Sequence, residues 1–417
     1  MPFLFLYRLA ASAVAPLAPS LLDWRARDGK EDPVRLPERL GVAGRARPQG
    51  RLVWLHGASV GETLALLPLV ERLIRGGFEV LVTSGTVTSA KLLVERLPAG
   101  AIHQYVPLDV PDFVASFLDH WRPDIALFAE SELWPNTIFA LKARRVPFVL
   151  VNARMSAQSA ARWRRWPFAA KRLLAAVDLV LAQNEENAAR FIGLGAPQVE
   201  VAGNLKYDSP PPPAEAGALA ELRGAVGARP VFVAVSTHDG EEGLLLDAHV
   251  EAAKTIPALL TLIVPRHPQR GEVVASLAAA RGLAVSLRSR GESPADIHIV
   301  DAIGAVGLAL RVATLAYMGK SLVPGGGQNP IEPAKLGLPI LFGPHVENFT
   351  DVYDALTAAR GAARVEDAAQ LTRAVTALLG DPARLRRMGR AAQERVERLG
   401  GASRQIVAAI TPLLERR

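Results

Sequence analysis

Residues 51–70, RLVWLHGASVGETLALLPLV, hold an apolar run, a turn flanked by glycines and a second apolar stretch at helical spacing. An unbroken apolar run of this kind marks a strand buried on both faces of a parallel sheet. Ser59-x-x-Glu62 in the turn fits a capping box, with the serine closing the first helical turn and the glutamate reaching back to its start. The same glutamate stands at the carboxyl end of the strand, where open α/β sheets place their ligands. Locally, the cap is the favoured reading of Glu62 and the chemistry the alternative.

The alternation continues outward. Strands are expected at 52–55, 79–84, 125–129, 148–152, 179–183 and 199–203, separated by amphipathic stretches such as SAKLLVERL. A proline run, Ser209 to Pro213, excludes helix and central strand and reads as a stiff spacer. Beyond it strands are expected at 231–236, 260–265, 297–301, 314–319 and 339–343, with closing helices over 366–416. The pattern predicts two doubly wound, Rossmann-like α/β domains facing a central cleft, over 23–208 and 214–417, joined by a linker at 209–213. A chain of 417 residues is ample for both cores.

Half of the sequence is hydrophobic, which excludes a disordered chain. A net charge of +7 and a pI near 9.9 favour an anionic partner: phosphate, nucleic acid or membrane surface. The absence of cysteine excludes disulfides, thiolate metal sites and cysteine nucleophiles. Residues 1–22 carry a single charge, Arg8, but Pro16 and Pro19 interrupt them as a helix. A signal peptide and a buried helical hairpin are alternatives; the reading favoured is a retained membrane anchor, spanning or monotopic. Arg25, Arg27, Lys30, Arg35 and Arg39 follow, and would keep the body of an inserted protein in the cytoplasm.

Strand ends carry the candidate chemistry. The strand at 260–265 ends in Pro265-Arg266-His267-Pro268, and an arginine there can fork onto a phosphate. In Gly325-Gly-Gly-Gln-Asn-Pro-Ile-Glu332, Asn329 suits a helix N-cap, Pro330 the first helical position and Glu332 the third. That start could meet an anion, while Glu332 either completes a second capping box or grips ribose hydroxyls. Ser236-Thr-His-Asp-Gly-Glu-Glu242 adds small donors beside that phosphate position. Glu130-Ser-Glu132-Leu-Trp-Pro-Asn136 places two acidic residues past a strand, suited to a base or to holding sugar hydroxyls. Cations alternate with aromatics from Arg162 to Arg172, a pattern shared by nucleic-acid binding, anionic membranes and plain solvated faces; the apolar amino terminus favours the membrane. No Asp-x-Asp pair or histidine cluster points to a metal.

Taken in order, HGASVGE, ESELWPN, NARMSAQS (152–159), AGNLKYD (202–208), STHDGEE, PRHP, GGGQNPIEP and GPHVENF (343–349) resemble the motifs of the Kdo transferases, which add 3-deoxy-D-manno-octulosonic acid to lipid A precursor. The resemblance spans essentially the whole chain. It implies a GT-B glycosyltransferase taking CMP-Kdo as donor and the tetraacylated precursor, lipid IVA, as acceptor, at the cytoplasmic face of a Gram-negative inner membrane. It implies Glu62 as catalytic base, with Glu130 and Lys206 in support. Donor contacts fall on Pro265, Arg266 and His267, on Ile303, Gly304 and Ala305, and on Asn329, Pro330, Ile331 and Glu332. Glu132, Arg162, Arg164 and Arg165 are expected at the acceptor. The expected partners are CMP-Kdo, lipid A precursor and anionic inner-membrane lipids, with no nucleic acid, cofactor or metal.

Two positions depart from the family pattern. Gln328 stands where histidine is usual, and Ala305 where a carboxylate is usual. Two rivals stay open on sequence alone: a GT-B enzyme or epimerase using a UDP-sugar, and a catalytically silent membrane-bound adaptor that binds nucleotide sugars.

Overall fold

A computed structural model describes residues 2–415; Met1, at the start of the expected anchor, and Arg416 and Arg417, at the end of the expected second domain, lie outside the described residues. The first sheet contains β1 (Leu52–Gly57), β2 (Glu79–Ser84), β3 (Ala101–Tyr105), β4 (Ile125–Ala129), β5 (Phe148–Ala153), β6 (Leu179–Ala182) and β7 (Val199–Val201). All its pairings are parallel, in the order β3-β2-β1-β4-β5-β6-β7. The second contains β8 (Val231–Thr237), β9 (Leu260–Pro265), β10 (Val285–Leu287), β11 (Ile297–Ile299), β12 (Leu315–Met318), β13 (Ile340–Phe342) and β14 (Ala362–Arg364). It too is parallel, in the order β10-β11-β9-β8-β12-β13-β14.

β1 shows why its apolar run does not alternate. Leu52 and Trp54 enter the core on one side of the sheet and Val53 and Leu55 the core on the other. Both faces are covered, so every position must be apolar. β3, β10 and β14 escape the sequence reading, and each is an edge strand. Edges are short or partly polar because a neighbour covers only one side. On β3, Arg35 donates to the His103 carbonyl at 3.1 Å and Glu38 accepts from the Tyr105 N–H at 2.7 Å, so an ion pair closes the open ladder.

The chain divides into two compact units, Met1–Ser209 with Gly400–Arg417, and Pro210–Leu399. This corrects the boundary expected at 417. The final helix, Ala402–Glu415, buries Ile406, Ile410 and Leu414 in the first unit's core, and Asp208 accepts from the Gly401 and Ser403 N–H groups at 2.5 and 2.6 Å. Amphipathicity shows that a helix will be buried, not against which sheet. The proline run is likewise no free spacer. A Cβ on Gly307 would fall 1.9 Å from the Pro213 carbonyl, and Arg311 donates to the Pro212 carbonyl, so the run is packed onto the second unit.

At the amino terminus, helices Pro2–Val14 and Ala18–Arg27 flank a 3₁₀ turn at Ala15–Leu17, where Pro16 interrupts the α-helix. Phe5, Leu6, Leu9 and Leu17 are each more than half exposed, which rules out the buried-hairpin reading. The segment is tied to the first unit by Tyr7, whose hydroxyl donates to Asp109 at 3.0 Å, and by Phe3 stacked on Trp166 at 5.1 Å.

Candidate active site

In each sheet the strand order reverses at one place, between β1 and β4 and between β8 and β12. Helices leave in opposite directions there, which opens a crevice at the carboxyl ends of the strands. Glu62 lies past β1. Ser59 caps the helix Val60–Arg75, its Oγ accepting from the Glu62 N–H at 3.3 Å. The Glu62 carboxylate folds back to accept from the Ser59 hydroxyl at 2.7 Å and the Ala58 N–H at 2.9 Å. It caps the helix and remains half-buried at the switch point, so the capping bonds leave it among the strand-end residues. Gly57 permits it: a Cβ there would sit 3.2 Å from Cβ of Glu62.

Across the switch, β4 is followed by Glu130, whose φ of 53° is left-handed backbone. Its N–H donates to the Val151 carbonyl at 3.0 Å, which holds the turn. Glu132 accepts from the Trp134 indole at 2.6 Å, and Trp134 stands edge-on to His56 at 5.7 Å. Burial pushes the Glu130 carboxyl above the usual range and Glu62 adds to the shift, while Arg154 and Lys206 oppose it. Glu132 is also raised, chiefly by burial, against the Trp134 bond and with the charges of Glu62 and Glu130. Three carboxylates and two cations therefore share one mouth. His56 stays neutral beneath it, its proton affinity pushed down to about 3 by burial.

Lys206 is held by neighbouring amides. Asn152, left-handed at φ 50°, accepts from the Leu205 N–H at 3.0 Å, and Asn204 accepts from the Lys206 N–H at 3.0 Å. Sequence reasoning quoted the motif containing Asn152 and Arg154 without giving either a role; the signal was a polar motif directly after a strand. The cations that reach Glu130 are Arg154 and Lys206, whereas Arg162, Arg164 and Arg165 are exposed at the end of the helix Ala157–Arg164 and in the turn after it.

In the second unit Pro265 closes β9, and Arg266 and His267 follow it into solvent. The Arg266 N–H donates to the Thr237 carbonyl at 3.0 Å, which ties them to the end of β8. His238 stands edge-on to His267 at 5.9 Å. Burial lowers the His238 pKa; a bond to the Ser236 carbonyl opposes this, and the charges of Lys320, His267 and Arg266 add to it. Lys320 lies two residues past the end of β12 and was not singled out from the sequence.

The glycine-rich loop corrects one expectation. Pro330, not Asn329, is the residue capping the helix, which runs only over Ile331–Lys335. Asn329 instead accepts from the Ile331 N–H at 3.1 Å and donates to Glu332 at 3.5 Å. A helix this short adds little dipole, so the anion-facing potential comes from side chains. Ile303 is 93% exposed, Gly304 takes a φ of 80°, and Ala305 is buried at the start of the helix Val306–Val312, with only backbone polar groups to offer. Among the described residues no group of three His, Asp or Glu side chains could hold a metal ion.

Two doubly wound parallel units, each with its charged residues gathered at a switch point, place the protein in the GT-B class of glycosyltransferases. Solved structures of the same architecture include a putative UDP-N-acetylglucosamine 2-epimerase from Listeria monocytogenes (TM-score 0.58, 15% identity, covering 88% of this chain and 98% of that one). Another is a glycosyltransferase from Rickettsia africae (TM-score 0.58, 13% identity, 89% and 100%). Curated relatives include the 3-deoxy-D-manno-octulosonic acid transferases of Haemophilus influenzae, 34% identical over 394 residues with 92% of each chain covered, and of Bordetella pertussis, 36% identical over 421 residues with 97% and 98% covered. Residues 34–209 match the family model for 3-deoxy-D-manno-octulosonic-acid transferase. The chain belongs to the Kdo transferase family.

Proposed function

We propose that the protein transfers Kdo from CMP-Kdo to a sugar hydroxyl of the lipid A precursor lipid IVA, with inversion, in lipopolysaccharide biosynthesis. The observation that carries this reading is the capped Glu62 beside Glu130, Glu132, Arg154 and Lys206. Glu62 takes the proton from the acceptor hydroxyl as its oxygen attacks the anomeric carbon, and the bond to the CMP phosphate breaks with no covalent enzyme intermediate. Ser59 and Ala58 fix the orientation of the carboxylate throughout. Arg154 and Lys206 suit an anionic acceptor, and Glu130 and Glu132 suit sugar hydroxyls. On the donor, negative charge builds on the departing phosphate and is met by Arg266 and His267. Asn329 and Glu332 suit the ribose. Backbone groups of Ile303, Gly304 and Ala305 flank the nucleotide.

The exposed face of residues 3–27, together with Trp166, Phe168 and the basic side chains Arg162, Arg164 and Arg165, suits a monotopic seat on the anionic cytoplasmic face of the inner membrane. The decisive experiment offers CMP-Kdo and lipid A precursor to wild type and Glu62→Gln in detergent and reads the lipid by mass spectrometry. Wild type is expected to add Kdo, and the folded, donor-binding variant to lose at least a hundredfold in rate. An active variant would remove Glu62 as the base; an inactive wild type would remove the substrate assignment.

A further inference from the structure

Glu241 has no role in the reaction above, yet it is wholly buried at the β8/β12 switch point. Its Oε1 accepts from the His238 N–H at 2.8 Å and the Lys320 N–H at 2.6 Å, and its Oε2 from the Tyr317 hydroxyl at 3.1 Å. One carboxylate thus ties the residues that follow two adjacent strands. Both turns are strained: Ser236 has φ 57° and Lys320 φ 56°, each left-handed and neither a glycine.

The side chains are placed as deliberately as the backbone. A Cβ on Gly325 would fall 2.1 Å from Cε of Lys320, so the glycine-rich loop makes room for the lysine stem. The Gly327 N–H donates to the Lys320 carbonyl at 2.9 Å, which closes the loop around it. His238 Nδ1 lies 3.0 Å from the Ser236 carbonyl, which fixes the ring, while Nε2 makes no hydrogen bond among the described residues. His267 stands edge-on beside it, with Arg266 next in sequence.

We propose that Lys320 and His238, seated by Glu241, form a grip for the phosphate of a nucleoside monophosphate ester, beyond the contact expected from Arg266. The inference rests on the CMP-Kdo reading above and assigns the donor's phosphate to particular groups. Calorimetry of the full chain in detergent, with CMP and with cytidine, separates phosphate from nucleoside recognition. Wild type binds CMP more tightly than cytidine. Lys320→Gly tolerates the positive φ and removes the ammonium; it is expected to weaken CMP about tenfold and leave cytidine unchanged. His238→Gln weakens CMP about threefold, and Glu241→Gln weakens it because the amide nitrogen that replaces Oε2 no longer accepts from the Tyr317 hydroxyl, which loosens the seat of both turns. Unchanged CMP affinity in Lys320→Gly overturns the inference, and so does an equal loss of CMP and cytidine, the mark of a purely structural lysine. If wild type does not prefer CMP to cytidine, the donor reading falls first and this inference with it.

Discussion

Glu132 illustrates the electrostatic cost of the carboxylate mouth. Its carboxyl is raised by burial and by its two acidic neighbours even though Trp134 donates to it. A carboxyl whose folded pKa is raised contributes stability that is full below its unfolded pKa and is lost as pH rises through the folded value. At neutral and alkaline pH it therefore opposes folding. Glu132→Gln is expected to raise the urea midpoint of the first unit at pH 8, with the gain fading as pH falls toward 4. Its transfer rate falls at the same time, the trade expected where a site is held under strain. All six tryptophans lie in the first unit, so their fluorescence reports its unfolding alone.

At the scale of elements, the final helix is the clearest case of a segment whose place is not its neighbours' place in sequence. Ile406 and Ile410 are fully buried in the core that also holds Val53, Leu55 and Val80. Ile406→Ala is expected to cost about 3 kcal/mol, seen in the tryptophan transition. Val375→Ala, an equally buried change in the second unit's core, should leave that transition unmoved. Equal effects from both would mean that the helix does not stabilise the first unit in particular. The amino-terminal helices behave differently, because Phe5, Leu9 and Leu17 are each more than half exposed and lose little burial when changed. Phe5→Asp, Leu9→Asp and Leu17→Asp together are expected to leave the tryptophan transition in place and weaken binding to anionic vesicles at least a hundredfold in a sedimentation assay. Retained binding would remove this segment as the membrane seat.

For the molecule as a whole, the two units repeat one solution: a parallel sheet, a reversal of strand order, and charged residues past the strands on either side of it. The first unit gathers carboxylates tempered by two cations; the second gathers cations around the buried carboxylate of Glu241, with buried Glu242 beside it paired to Arg270. That contrast fits the roles proposed above, a base and a polyhydroxyl acceptor for the first unit and a phosphate leaving group for the second. Loss of a metal tests the division of labour. Transfer by this protein is expected to survive dialysis against EDTA, since the proposed phosphate grip uses side chains; abolition restored by a divalent ion would contradict it.

Sequence periodicity alone settled the α/β class, the central strands and the location of HGASVGE, ESELWPN, STHDGEE and PRHP at strand ends. Each of these depends on local burial, and burial on two faces leaves an unbroken apolar run at every central strand. The capping of Glu62 was equally legible, because a capping box is four residues long. The edge strands β3, β10 and β14 were not, since a strand covered on one side needs no such run. Strand order also lay outside the sequence, and with it the meeting of His238 with Lys320 and of Glu130 with Arg154 and Lys206. These groups come from segments far apart in the chain. Only the parallel pairing of β8 with β12 and of β4 with β5 brings them to common strand ends, and the final helix joins the first unit for the same long-range reason.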